Sequence, residues 1–345
     1  MTIVRVALDV PLPRLFDYQA EASAEDLGCR VWVPFGHGRK LGLILGLAET
    51  SDQPEARLKP VEAVLRDMPA LPAEWITLGE FCSRYYQHPL GQVLGFALPP
   101  MLRRGKLPRP VKPKAAAAVA SPPPALLPEQ RQAVAAIGAA TGFDAFLLHG
   151  VTGSGKTEVY LHAIAAVLAR GGQALMLVPE IALTPQLEQR VRTRFPQACV
   201  VSAHSGIAEA ARARGFLDAL TGQADIVLGT RLAVFMPLPR LGLIVVDEEH
   251  DASFKQQDGL RYSARDVAVF RAKQQNVPIV LGSATPSLET FHHGQSGRYR
   301  LLALSRRAVA ESLPRVRVVD TRREKLQDGM GSELLAALER RLAAG

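Results

Sequence analysis

The sequence predicts an α/β protein in three parts: a small β-rich N-terminal domain, a Pro/Ala-rich linker, and a P-loop lobe built on a mainly parallel sheet. Three observations lead there. A glycine-rich loop, G-V-T-G-S-G-K-T at 150–157, lies between an apolar strand run and a helical run. From residue 126 onward short apolar runs alternate with helical stretches, the pattern of parallel strands covered on both faces. Before residue 105 the runs are β-rich and punctuated by proline and glycine, and residues 106–125 then turn basic and rich in proline and alanine.

At 345 residues and 48% hydrophobic content, the chain has material for two or more cores. A formal charge of +8 fits either a polyanionic partner or a solvated basic surface. Cys29, Cys82 and Cys199 are widely spaced with no C-x-x-C pair, which argues against a disulfide framework or a zinc site within these residues. Arg5, Asp9 and Arg14 interrupt any secretory leader, and no run reaches the length of a membrane span. A cytoplasmic setting without a membrane partner is the expectation.

In the N-terminal domain, 3–10, 29–33 and 41–45 read as strand runs, with 34–38 as a turn cluster between the last two. Residues 75–86 have helical spacing, with Ile76, Leu78, Phe81 and Cys82 as the inward side. Phe16-Asp17-Tyr18 sets a carboxylate between two aromatics, Gly36 lies in a loop, and Lys59 follows a polar stretch. Such a set either holds a nucleotide by stacking and phosphate contact or is packing after a proline turn. The basic linker is either a nucleic-acid contact or a soluble tether.

The lobe opens with a helix over 128–139, followed by strand candidates at 145–149, 174–178, 199–202, 225–228, 243–246 and 279–281. A helix over 158–170 follows the phosphate loop. Gly150, Gly153 and Gly155, with Thr152 and Ser154 between them, let backbone N–H groups converge on phosphate oxygens at a helix N-terminus. Lys156 supplies a point charge to the outer phosphates of ATP, and the Thr157 hydroxyl is placed to ligate Mg²⁺. The strand at 243–246 runs into Asp247-Glu248-Glu249-His250. There Asp247 would hold the same Mg²⁺, Glu248 would orient and deprotonate a water, and His250 would sense the γ-phosphate. Ser283 and Thr285, after another strand, are candidates to couple the nucleotide site to a neighbouring domain.

These residues resemble a superfamily 2 helicase core: 150–157 motif I, 178–186 motif Ia, 229–231 motif Ib with Arg231 on DNA, 247–250 motif II and 283–285 motif III. More narrowly, G-V-T-G-S-G-K-T-E-V-Y (150–160), P-E-I-A-L-T-P-Q (179–186) and D-E-E-H-D-A-S-F-K-Q-Q (247–257) resemble the bacterial primosomal replication-restart helicases, the PriA family. So do R-Y-S-A-R-D (261–266), V-P-L-P-R (10–14) and F-D-Y (16–18). The resemblance implies that 1–105 is a 3′-end DNA-binding domain whose pocket uses Phe16, Asp17, Tyr18, Gly36 and Lys59. It implies that 126–312 is a RecA-like lobe 1 and that 313–345 begins the connection to a second lobe. It makes Gln130 an adenine reader and 254–262 an aromatic-rich loop that reports single-stranded DNA to the ATP site. Phe254 and Tyr262 would stack there, with Lys255 and Arg261 on phosphates.

The resemblance implies an ATP-dependent 3′→5′ DNA helicase that recognises stalled forks and initiates primosome assembly. Its partners would be branched and single-stranded DNA with a 3′ end, single-stranded DNA-binding protein and other primosome proteins. Two departures stand out: the linker takes the place of a winged-helix domain, and the chain ends before a second lobe with its arginine finger and zinc insertion. Zinc ligands are therefore expected outside this chain, and hydrolysis by these residues alone is expected to be slow. A fork-binding scaffold with a silent ATPase is the alternative, and a P-loop ATPase without DNA a weaker third.

Overall fold

The computed structural model describes residues 2–109, 124–307, 318–323 and 326–343; most of the expected linker lies outside them. The chain divides into two compact units, Met1–Ala308 and Val309–Gly345. The second holds the helix α10 (Ser332–Ala343).

In the first unit, β1 (Thr2–Leu8), β2 (Phe16–Ala20), β3 (Arg30–Phe35), β4 (Gly38–Ala48) and β5 (Ala63–Leu65) form an antiparallel sheet. Its order is β2-β1-β4-β3-β5. Val4, Val6, Val31, Val33 and Ile44 are fully buried on one side, as strand alternation requires. The expected turn over 34–38 is narrower than the sequence suggests. Strand β3 continues through Pro34 and Phe35, and only Gly36 and His37 turn. Proline is tolerated there because β5 pairs only with Arg30–Trp32, which leaves the edge beside Pro34 open. Gly36 has φ +61°, the left-handed conformation that this turn demands.

Three helices follow, α1 (Ala73–Tyr85), α2 (Leu90–Ala97) and α3 (Pro100–Arg103). The inward side of α1 is Trp75, Leu78, Gly79 and Cys82; Ile76 and Phe81 are only half-buried.

The lobe contains α4 (Pro128–Gly138), β6 (Ala145–Gly150), α5 (Lys156–Ala169), β7 (Gln173–Leu177), α6 (Pro185–Arg194), β8 (Val200–Ala203) and α7 (Glu209–Leu220). It continues with β9 (Ile226–Gly229), β10 (Leu241–Asp247), α8 (Ala264–Gln274), β11 (Ile279–Ser283), α9 (Leu288–Gln295) and β12 (Arg300–Leu304). All seven strands are parallel, in the order β12-β6-β11-β10-β7-β9-β8. The strand β12 is not among the sequence expectations; its short R-L-L-A-L run is recruited as an edge beside β6. One face of the sheet packs on α4 and α5 around Phe146, Tyr160 and Ile164.

The other face shares its core with α1, α2 and α3, so Leu78, Leu94 and Leu102 pack in the same cluster as Phe216, Phe235 and Tyr262. Trp75 anchors this seam. Its Nε1 donates to the Phe235 carbonyl at 2.6 Å, and its ring meets Phe216 edge-on at 6.4 Å. Phe81 stacks on Phe270 at 3.7 Å, and Gln274 Nε2 donates to the Glu74 carbonyl at 2.9 Å. Truncating Trp75 to alanine should cost about 3–5 kcal/mol in urea unfolding, the usual loss for a buried large aromatic. A loss below about 1 kcal/mol would contradict the seam.

Candidate functional site

The loop after β6 is shaped by its glycines in two ways. Gly153 and Gly155 have φ of +80° and +81°, which side chains disfavour. Gly150 is needed for room instead: a Cβ there would lie 2.5 Å from Ser154 Oγ and 3.0 Å from Leu304 Cβ. The loop delivers the N-terminus of α5, where positive partial charge gathers. Lys156, buried, opens that helix, and Thr157 beside it is half-buried. Lys156 Nζ donates to the Gly150 carbonyl at 3.2 Å and lies 3.2 Å from Glu248 Oε1. Gln130 Nε2 donates to the Ser154 carbonyl at 2.8 Å, while its Oε1 accepts from Leu127 N. Thr152 is exposed at the loop's tip.

Parallel pairing brings the acids to the same edge. Asp247 ends β10, and its Oδ1 accepts from Tyr160 Oη at 2.9 Å and from Glu248 N at 3.0 Å. Burial, then the neighbouring Glu248 charge, pushes the Asp247 carboxyl above its ordinary range. Burial, reinforced by Asp247, holds the Tyr160 phenol well above the usual tyrosine value, so it stays a donor. Glu248 has φ +46°, a strained conformation for a residue with a Cβ, worth about 1–3 kcal/mol. That turn faces its carboxylate toward Lys156. His250 Nδ1 is 2.8 Å from Ser283 Oγ, its Nε2 is 3.3 Å from Thr285 Oγ1, and Glu248 Oε2 is 3.7 Å away. The two hydroxyl residues expected to couple the site are thus bound to the histidine of the acidic segment.

Glu249 points the opposite way, fully buried. It accepts from Arg265 Nη1 (3.1 Å), Ser287 N (2.8 Å), Ser287 Oγ (3.1 Å) and Thr290 Oγ1 (3.0 Å), tying the strand end to α8 and α9.

The stacking roles expected for Phe254 and Tyr262 do not hold in this structure. Both are buried, with Tyr262 packed edge-on against Phe96 (5.8 Å) and Phe235 (5.1 Å), so neither ring is open to a base. Lys255 and Arg261 are exposed. Lys255 Nζ donates to the Arg261 carbonyl at 2.9 Å and sits 5.3 Å over the Tyr86 ring. Arg231 fastens the segment down, donating to Gln256 Oε1 at 2.7 Å and to the Ser253 carbonyl at 3.1 Å, with Glu180 at 3.3 Å.

A cavity of about 660 Å³ in the N-terminal sheet is lined by Phe16, Asp17, Tyr18, Gly36 and Lys59. Its other charged walls are Arg5, Arg14, Arg57 and Asp52. Asp17 accepts from Ser51 Oγ at 2.5 Å and lies 4.0 Å from Arg5 Nε. Phe16 meets Phe35 edge-on at 5.4 Å beneath the Arg14 guanidinium at 5.0 Å. Tyr18 is a correction: it is buried, its hydroxyl donating to the Pro34 carbonyl at 3.1 Å, so it supports the wall rather than offering a stacking face. Gly36 is open, and a Cβ at this position would meet nothing within 4 Å. Arg5, Arg14 and Arg57 are wall residues that the sequence does not single out; the pairing of Arg5 with Asp17 across β1 and β2 is a register fact that local spacing does not carry.

Among the described residues no three His, Cys, Asp or Glu side chains cluster as a metal site. No helix among them is long and apolar enough to cross a membrane.

Residues 5–99 match the family described as the PriA 3′ DNA-binding domain, and 127–293 match the DEAD/DEAH box helicases. The replication restart protein PriA of Haemophilus influenzae is 36% identical over 421 aligned positions, covering 100% of this chain and 57% of that protein. PriA of Treponema pallidum is 38% identical over 331 residues (94% of this chain, 50% of that one). PriA of Synechocystis is 47% identical over 225 residues (64% and 27%). The chain spans about half the length, or less, of these curated relatives. Its class is a superfamily 2 helicase lobe joined to a DNA-binding domain. Within that class it belongs to the PriA replication-restart family.

Replacing Glu249 with alanine strands the Ser287 N–H, while Arg265 keeps Asp266 and Ser287 Oγ, each at 2.9 Å, and Ser287 Oγ keeps Thr290 Oγ1 at 3.0 Å. The loss should be about 3 kcal/mol in chemical denaturation, the lower end for breaking a buried pair. A loss under about 1 kcal/mol would show that Glu249 does not hold α8 and α9 to the strand end.

Proposed function

We propose that this chain binds Mg·ATP between the 150–157 loop and the acidic end of β10, and grips a DNA 3′ end in the N-terminal cavity. The whole would act as an ATP-dependent 3′→5′ DNA helicase that recognises stalled forks and initiates primosome assembly. The observation that carries the reading is the 3.2 Å pairing of Lys156 Nζ with Glu248, which puts a phosphate-binding cation against a candidate general base. A γ-phosphate entering between them gives Lys156 a stronger partner and frees Glu248 to orient and deprotonate water. His250, already bound to Ser283 and Thr285, then reports the phosphate to the strand behind it.

The cradle fits a divalent cation. Asp247 Oδ2 has no hydrogen-bond partner among the described residues, and Thr157 stands beside Lys156 at the helix start. These two would hold Mg²⁺, which neutralises charge on the phosphates. Gln130, fixed to the loop through Ser154, is the candidate adenine reader, and Gly150 to Gly155 line the phosphates. On the DNA side, Lys255, Arg261 and Arg231 are the cationic candidates, and Phe16 is the ring left for a terminal base. The fork, single-stranded DNA-binding protein and other primosome proteins are the partners of this reading, in the cytoplasm where the chromosome is.

Lys156→Ala should weaken ATP at least tenfold, about 1.4 kcal/mol, with the fold retained. Unchanged ATP affinity in folded variant protein, by fluorescent-nucleotide titration, contradicts the phosphate site.

In the N-terminal cavity a free 3′-hydroxyl can donate to Asp17, whereas a 3′-phosphate sets negative charge against it. Wild type should favour 3′-hydroxyl DNA by roughly 1–3 kcal/mol. Asp17→Ala should lose most of that preference while cations of the wall keep weaker, salt-sensitive binding. Equal binding of both ends by wild type, titrated at one ionic strength, removes the end-reading role.

A further inference from the structure

Lys156 and Tyr160 stand four residues apart on α5, so they share one face of the helix, one turn apart. The first side chain reaches Glu248 and the second reaches Asp247, two consecutive residues at the end of β10. Tyr160 is fully buried. Its hydroxyl and the Glu248 N–H both donate to the same Asp247 oxygen, Oδ1, at 2.9 and 3.0 Å. Two donors on one oxygen, and none on the other among the described residues, fix how the carboxylate is turned about its own bond to the side chain. Oδ2 is thereby the oxygen left to accept a ligand.

The opposite strand is cut to allow this. Gly282 of β11 is the register partner of Asp247. A Cβ at 282 would lie 1.6 Å from Tyr160 Oη and 2.7 Å from its Cζ. The backbone of Gly282 is not in the left-handed region, so the requirement for glycine is space alone. Any side chain at 282 therefore expels the phenol from Asp247.

We propose that Tyr160, seated in the notch left by Gly282, is a positioning residue that orients the Asp247 carboxylate to present Oδ2 to a divalent cation with hard oxygen ligands, such as Mg²⁺. The inference rests on the nucleotide reading above. Groups that orient a metal-ligating carboxylate from behind typically govern metal affinity by 10- to 100-fold.

The test uses the full chain, a fluorescent ADP, and Mn²⁺ or Mg²⁺ as the metal. Nucleotide affinity is measured in EDTA and across a metal titration for wild type, Tyr160→Phe and Gly282→Ala. Tyr160→Phe is isosteric apart from the hydroxyl, and Gly282→Ala keeps the hydroxyl but displaces it. Both should leave the EDTA affinity within about twofold and raise the half-saturating metal concentration roughly tenfold. A lower melting temperature with an unchanged metal midpoint in Tyr160→Phe would mean a structural hydrogen bond only, and overturns the proposal. A shift in Tyr160→Phe without one in Gly282→Ala overturns the notch. Wild type that binds no nucleotide defeats the underlying reading as well. Wild type with a metal-dependent site that Tyr160→Phe leaves unaltered defeats this inference alone.

Discussion

The arrangement depends on one constraint: β6, β11 and β10 lie side by side and run the same way. Parallel strands must all finish on one edge of the sheet, so three loops far apart in sequence are delivered to one place. The loop after β6 brings Lys156, the segment after β10 brings Asp247 to His250, and that after β11 brings Ser283 and Thr285. Because β11 lies between the other two, its residues decide what can pass across the edge. Gly282 leaves room for Tyr160, and Ser283 is within reach of His250. If β11 were displaced, the phosphate loop and the acids would both survive as segments and lose each other.

The same sheet explains why the N-terminal region is not simply tethered to the lobe. A parallel sheet must bury both faces. Helices α4 and α5 cover one, and α1, α2 and α3 complete the core on the other. The segment 252–262 is caught in that seam, with Tyr262 between Phe96 and Phe235, and Ser263 N donating to Tyr86 Oη at 3.2 Å. Residues beside the acidic strand end are thus packed against helices that follow the antiparallel sheet. Any shift of those helices is felt by the segment that starts two residues after His250.

Much of this is legible in the sequence where chemistry is encoded by local spacing. G-x-x-x-x-G-K-T and D-E-E-H are each complete within a few consecutive residues, and the alternation of apolar runs locates six of the seven lobe strands. The aromatics are harder. Phe16, Tyr18, Phe254 and Tyr262 are chemically equal as stacking platforms and as core, and the choice is made by what packs beside them. Tyr18 finds Pro34, and Tyr262 finds Phe96 and Phe235, all distant in sequence. Strand β12 is hidden because R-L-L-A-L is too short to stand out without β6 beside it. Tyr160 and Gly282 are invisible for the same reason: their relation exists only across adjacent strands and the helix above them.

The central claim is that one chain carries two separate anion-binding places, a nucleotide cradle at the parallel sheet's edge and a DNA-end cavity in the antiparallel sheet. Amide hydrogen exchange on the full chain, with Mg·ADP and a short 3′-hydroxyl oligonucleotide added separately, tests it directly. Nucleotide should slow exchange at 150–157 and 247–250, and the oligonucleotide should slow it around 16–18 and 36. Protection by both ligands at one place, or by neither at its own, would contradict it.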